Sequence, residues 1–237
     1  MPRTSTTPTT GLPALTYVSM SLDDEESESL LPNQSRHQQE LSRLLALSDG
    51  VFAIAITLLV LQLTVPEISG GAVAGKLTVQ LFDAIPKIVT YAIGFAVIAL
   101  FWVGHRRMFL LIVKTDGVLT VLNLALLLCI AFMPYPISIL GLYGNTAVAV
   151  VFYTLTLALG GTVMLATWLY ASIGHRLISP EVSSRVILHH ALRAATAPLV
   201  FLLSIPVAQW SPTAAEYSWG LILVFMILLR VLFRASL

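Results

Sequence analysis

Residues Arg43–Leu63 read RLLALSDGVFAIAITLLVLQL, and this stretch decides the fold. The eighteen residues from Leu44 to Leu61 carry no charge except Asp49. A run of that length suits a membrane-crossing helix, because ~20 residues rising ~1.5 Å each match a hydrocarbon core about 30 Å thick. Asp49 lies a turn and a half into the run, six residues after Arg43. A carboxylate facing lipid is costly, so Asp49 is expected to face protein or a water-filled cavity. A capping or headgroup-facing aspartate on an ordinary span is the plainer reading.

The rest of the chain extends this pattern. Of its 237 residues, 57% are hydrophobic and only 11% charged, and the mean hydropathy is +0.88. A soluble domain carries about 25% charged residues. The expected class is all-α, a polytopic membrane protein with six transmembrane helices per chain. The helices are placed at about Arg43–Val65, Val79–Gly104, Gly117–Leu140 and Thr146–Ser172. A fifth starts within Gly174–His190 and continues to about Ala208, and a sixth covers about Tyr217–Phe233. Pro134 and Pro136 interrupt the third, and Pro198 and Pro206 fall within the fifth. Glu67–Lys76, with three glycines, reads as a loop, and the basic stretch Gly104–Asp116 as a connector.

Residues 1–40 are rich in Ser, Thr and Pro and hold the acidic cluster Asp23, Asp24, Glu25, Glu26 and Glu28. Such a segment buries too little apolar surface to offset the entropy of ordering, so a disordered cytoplasmic tail is expected ahead of a channel-sized domain at 41–237. The first long apolar run starts too late for a cleavable leader. The single cysteine, Cys129, excludes an intramolecular disulfide and is expected to be a small packed side chain.

Charge sets the expected orientation. With the N-terminus inside, the inner positions hold Arg36, Arg43, Arg106, Arg107, Lys114, Arg176, Arg185, Arg193, Arg230 and Arg234. The outer side keeps Lys76 and Lys87. That asymmetry follows the positive-inside rule and puts both termini in the cytoplasm. Trp102 and Trp168 then fall at inner ends and Trp210 and Trp219 at outer ends, as interfacial anchors would.

Two constellations stand out. Ile54, Leu58 and Leu61 are spaced by four and three residues and share one helical face, with Thr57 beside it. Gly50, Ala53 and Ala55 permit close approach by neighbouring helices. This suits a pore-lining helix with a hydrophobic constriction, and equally a packed bundle helix; periodicity does not separate the two. The second constellation is polar and shares one membrane depth. It comprises Arg43, Ser48 and Asp49 on the first helix, His105, Arg106 and Arg107 at the end of the second, and Asn123 on the third. A hydrogen-bonded network among them would satisfy Asp49 and fix the first helix. As a catalytic site it is poor, with one carboxylate and no partner acid, base or nucleophile. No metal-ligand spacing or phosphate loop occurs, so no enzyme activity or cofactor is expected. No basic run interleaved with aromatics points to nucleic acid.

The residues that carry a resemblance are now in view. Arg43-Leu44-x-x-Leu47-Ser48-Asp49-Gly50-Val51-Phe52 and the apolar run after it resemble the signature of the lysosomal/endosomal potassium channel family, in its bacterial six-helix branch. Phe101-Trp102-x-x-His105-Arg106, Asn123-Leu124, Phe132-Met133-Pro134 and Tyr143-Gly144-Asn145 are similar to further family patches. The resemblance spans roughly residues 40–234. It implies a potassium-permeable channel in the bacterial plasma membrane, surrounded by lipid and assembled as a homotetramer. The first helix of each chain would line one pore, without a carbonyl-cage filter. Carried onto this chain, Ile54 would be the narrow layer, followed by Thr57 or Leu58, with Leu61 further out. Potassium would visit the pore only transiently. Arg43, Ser48 and Asp49 would anchor the first helix through Trp102, His105 and Asn123. Leu47 replaces the family's phenylalanine, which keeps burial but loses ring packing near the inner network. Cation preference would draw on helix dipoles or on acids such as Glu67.

Two other classes fit the composition. A proton- or sodium-coupled small secondary transporter would use the prolines and glycines of helices two to five as gating bends, although no acid lies at the midplane. A non-transporting structural membrane protein would show no flux and no solvent access to Ile54, Thr57 or Leu61.

Overall fold

In hydrocarbon every backbone N–H and C=O must find its partner within the segment, so long apolar runs fold as helices. The structure, a computed structural model, describes residues 22–65 and 73–233, with side chains at 37–65 and 75–233. Its described regular elements are helical, apart from one isolated antiparallel bridge between Ile112 and Ile178. Residues 1–21 and Glu67 lie outside the described residues, as do the side chains of Arg36 and of the acidic cluster. The chain divides into two units, Met1–Arg36 and His37–Leu237, and all six candidate spans lie in the second.

The first helix, α1 (Leu22–Leu58), begins upstream of the boundary expected at residue 40 and passes into a short 3-10 turn at Leu59–Gln62. The expected second helix is divided. α2 (Val73–Asp83) takes in Val73–Lys76, which the sequence assigned to a loop, and α3 (Ile85–Phe109) follows after a turn at Ala84. Pro86 sits in the first turn of α3, where its missing N–H costs nothing. α3 also outruns the expected end at Gly104, and its last turn holds Arg106 and Arg107, where the helix dipole favours cations.

The third span divides at its prolines into α4 (Gly117–Phe132) and α5 (Pro134–Tyr143). Pro134 cannot donate to the Ile130 carbonyl, and the Met133 N–H takes that bond instead at 3.1 Å. The fourth span is α6 (Ala147–Ser172), and the fifth is α7 (Ser184–Trp210), which contains Pro198 and Pro206. The sixth joins α8 (Pro212–Ser218) to α9 (Leu221–Leu232). Starts are marked by side-chain caps. Asp116 Oδ1 accepts from Leu119 N at 2.8 Å, and Ser211 Oγ from Ala214 N at 3.2 Å. Within spans, the hydroxyls of Thr156, Thr162, Thr167 and Thr196 donate to carbonyls four residues back. Each leaves no hydroxyl proton unpaired in lipid.

α6 packs against α4, α5 and α7, and α7 in turn against α8 and α9. Gly161 of α6 makes the α6–α7 approach possible, since a Cβ there would lie 2.9 Å from the Pro198 ring. The first span joins the core through Phe52 and Ala55 of α1 and Leu59 of the turn after it, in one cluster with Ile98, Leu126 and Ile130. Cys129 is buried, as its setting in an apolar run indicated.

The two polar connectors on the Arg106 side are laced together. Val113 N–H donates to Leu177 O at 2.8 Å, and Leu177 N–H to Ala171 O at 3.0 Å. The chain turns there through left-handed backbone at Gly174 and His175, with φ of 64° and 53°. The His175 ring is held 3.0 Å from Val182 O.

The tryptophans depart from the sequence reading. Trp168 is 1% exposed and donates to Ile187 O at 3.1 Å. Trp219 donates to Ser204 Oγ at 3.1 Å and packs on Tyr153 and Phe201. Both are packing residues rather than interfacial anchors, because each indole N–H finds its acceptor inside the bundle. Trp210 is exposed.

Candidate functional site

The helical repeat sorts the residues of α1 onto two faces. Leu44, Ser48, Phe52, Ala55 and, in the following turn, Leu59 are buried. Their spacings of four, four, three and four residues keep them in line. Ile54, Thr57, Leu58 and Leu61 are exposed, with Ile54 at 60%, Leu58 at 42% and Leu61 at 74%. The proposed pore residues thus share a face that this chain leaves uncovered. The Thr57 hydroxyl donates to Ile54 O at 2.9 Å, so its oxygen lone pairs point outward from a satisfied donor.

The buried face carries a directional hydrogen-bond chain. Ser48 Oγ donates to Leu44 O at 2.8 Å and accepts from Asn123 Nδ2 at 3.0 Å. With the amide so oriented, Asn123 Oδ1 faces His105 Nε2 at 2.8 Å, and the histidine must carry its proton there. Ser48, Asn123 and His105 are all buried. A buried chain of this kind is costly to break, because each lost partner leaves a polar group unpaired in low dielectric. Three spans are thereby tied at one depth.

Asp49 stands at the edge of this arrangement. It is exposed, and its Oδ1 accepts from Trp102 Nε1 at 2.7 Å. The Trp102 ring in turn lies under the Arg106 guanidinium, 5.7 Å from ring centroid to Cζ. Anion, indole and cation therefore form a short stack at the end of α3.

Five of the six residues expected to anchor α1 come together in this way: Ser48, Asp49, Trp102, His105 and Asn123. Arg43 does not join them. It is exposed and borders an open cavity of ≈ 480 Å³ with Glu40, Leu47, Thr115 and Asp116. The family departure at Leu47 also falls away from the network, since Leu47 is 48% exposed. Ring packing around His105 comes from elsewhere. Phe52 lies 5.7 Å from the imidazole and Phe109 4.2 Å, centroid to centroid. Sequence reading missed both as site residues because they are apolar residues in apolar runs; the i, i+4 spacing of Phe52 from Ser48, and of Phe109 from His105, is the signal that finds them. A further tie, Gln62 Nε2 to Pro134 O at 2.5 Å, fixes the far end of the first span to the third.

Comparison with known proteins places the chain. The family model described as endosomal/lysosomal potassium channel TMEM175 matches residues 43–134, from the start of the α1 signature to the first proline of α5. A potassium channel of Streptomyces collinus is 31% identical over 190 residues, covering 78% of this chain and 91% of that protein. The endosomal/lysosomal proton channel TMEM175 of Rattus norvegicus is 27% identical over 180 residues, 73% of this chain and 36% of that protein. The crystal structure of a lysosomal potassium-selective channel TMEM175 homolog from Chamaesiphon minutus superposes with a TM-score of 0.67 at 26% identity, covering 80% of this chain and 97% of that one. The chain belongs to the endosomal/lysosomal potassium channel TMEM175 family, a family of ion channels and not of enzymes.

Proposed function

We infer that the chain is a potassium-permeable channel whose pore is lined by α1 from each of four copies, with Ile54 at the constriction. The observation that carries this reading is the division of α1. Its inward face is locked by the Ser48–Asn123–His105 chain, while Ile54, Thr57, Leu58 and Leu61 remain uncovered on the opposite face. Four symmetry-related copies would cover that face and leave an axial path between the Ile54 side chains. An aliphatic ring gates by excluding water, and selectivity would rest on pore width, on hydration and on the Thr57 hydroxyl. The names of the Streptomyces and Chamaesiphon relatives support potassium as the ion. The charge distribution supports a cell membrane with both termini on the cytoplasmic side.

The decisive experiment is potassium efflux from liposomes holding the purified protein, beside Ile54→Asn and empty vesicles. Wild-type flux that rises in the variant supports the constriction. Folded, inserted protein with no flux in either form overturns the reading. Replacing the potassium gradient with a pH gradient tests the second reading, proton passage along the same path, which the name of the rat relative favours.

A further inference from the structure

A second feature lies away from α1. Helices α3, α6, α7 and α9 enclose a partly open cavity of ≈ 390 Å³, within the range of ligand pockets. Its walls are almost wholly apolar, with Val97, Phe101, Leu157 and Phe201 among them. One end is different. Arg107, His190 and Arg193 line it beside Trp168, whose ring lies 5.0 Å from that of His190. Two guanidinium groups, Arg107 of α3 and Arg193 of α7, therefore line this end of the cavity. Among the described residues no carboxylate forms an ion pair with either of these arginines.

Arg193 is the anomalous member. It lies nine residues into α7, at the same end of the bundle as Arg107 in the last turn of α3, and is only partly exposed. A partly covered guanidinium at the end of a span is favoured by an anionic partner from the headgroup region. Here it has a neighbouring cation instead, and a greasy cavity running away from it.

We propose that this cavity seats one anionic phospholipid of the surrounding membrane, its phosphate between Arg107 and Arg193 and an acyl chain along Val97, Phe101, Leu157 and Phe201. A phosphate supplies the missing counter-charge and matches the planar fork of arginine in two-point hydrogen bonding. Basic pockets between spans are suited to anionic headgroups, and the positive end lies on the arginine-rich side of the chain. The apolar walls explain why a lipid, and not a soluble anion, is the occupant: inorganic phosphate would leave them unfilled. The inference goes beyond ion conduction and does not depend on it.

The test uses the full-length protein exchanged into mixed micelles with equal dioleoylphosphatidylglycerol and dioleoylphosphatidylcholine, then washed and assayed for retained lipid per chain. Wild type is expected to keep phosphatidylglycerol in preference to phosphatidylcholine. Arg107→Gln with Arg193→Gln should cut retained phosphatidylglycerol by roughly fivefold per arginine, leaving phosphatidylcholine unchanged. Ala194→Phe, which narrows the apolar part, should lower retention with both arginines intact. Equal retention of the two lipids by wild type overturns the proposal, as does undiminished retention in the double variant. Displacement of the lipid by millimolar inorganic phosphate also overturns it, because the arginines would then hold a free anion. Circular dichroism melting checks the fold; where the double variant fails to fold, Arg107→Gln alone and the wild-type preference decide.

Discussion

The two faces of α1 differ in what they require. On the buried face, Phe52 belongs to the main core cluster and packs on the His105 ring, and Ser48 is wired through Asn123 to His105. Two residues further along, Ile54 touches little of its own chain. A helix in lipid gains nothing from burying leucine as such, because hydrocarbon is as apolar as the protein interior. Shape and hydrogen bonds must therefore hold α1 in place. One face is constrained by structure, which leaves the other free to be shaped by function.

The contrast is sharpest between neighbours. Phe52→Ala should destabilise by on the order of 3 kcal/mol through its cavity, whereas Ile54→Ala should leave the melting temperature in detergent almost unmoved. Equal losses at the two positions would erase the division between faces. The polar chain gives the next largest effect. Asn123→Leu removes the partners of His105 and Ser48 together and should cost roughly 1–3 kcal/mol, read as a lower melting temperature with α-helical content retained. Trp102→Phe keeps an aromatic side chain but loses the hydrogen bond to Asp49 and the larger indole face beneath Arg106; it should cost about 1 kcal/mol by chemical denaturation in mixed micelles. Smallest of all in stability is Leu61→Ala, expected within about 0.5 kcal/mol of wild type. The same variant should alter potassium flux in liposomes, and unchanged flux would remove Leu61 from the pore.

Much of this was legible in the sequence because the bilayer imposes a length. Six apolar runs announced six spans, and their ends differ from expectation where polar residues turned out to be helical. Arg106 and Arg107 looked like a connector, yet they belong to the last turn of α3, where a cation is stabilised by the helix dipole. Ser48, His105 and Asn123 could be grouped because they share a depth. The failure of Arg43 to join them could not be foreseen, since azimuth around a helix axis decides it and depth does not. Trp168 and Trp219 show the same limit. Position near a span end suggested anchors, but only packing reveals whether an indole N–H meets a carbonyl or a headgroup. The arginine-ended cavity was equally hidden, because its two guanidinium groups come from separate helices, α3 and α7.

The hydrogen bond from Asn123 to Ser48 joins residues 75 positions apart, and this bears on biosynthesis. At about 5–20 residues per second, Ser48 leaves the ribosome roughly 4–15 s before its partner. During that interval the first span rests in the bilayer with its buried face unmatched, held by its hydrophobicity and by the Ser48 hydroxyl turned onto its own backbone. The third span closes the arrangement only on arrival. Co-translational quality control therefore has a window of seconds in which to recognise a chain truncated before Asn123 as incomplete.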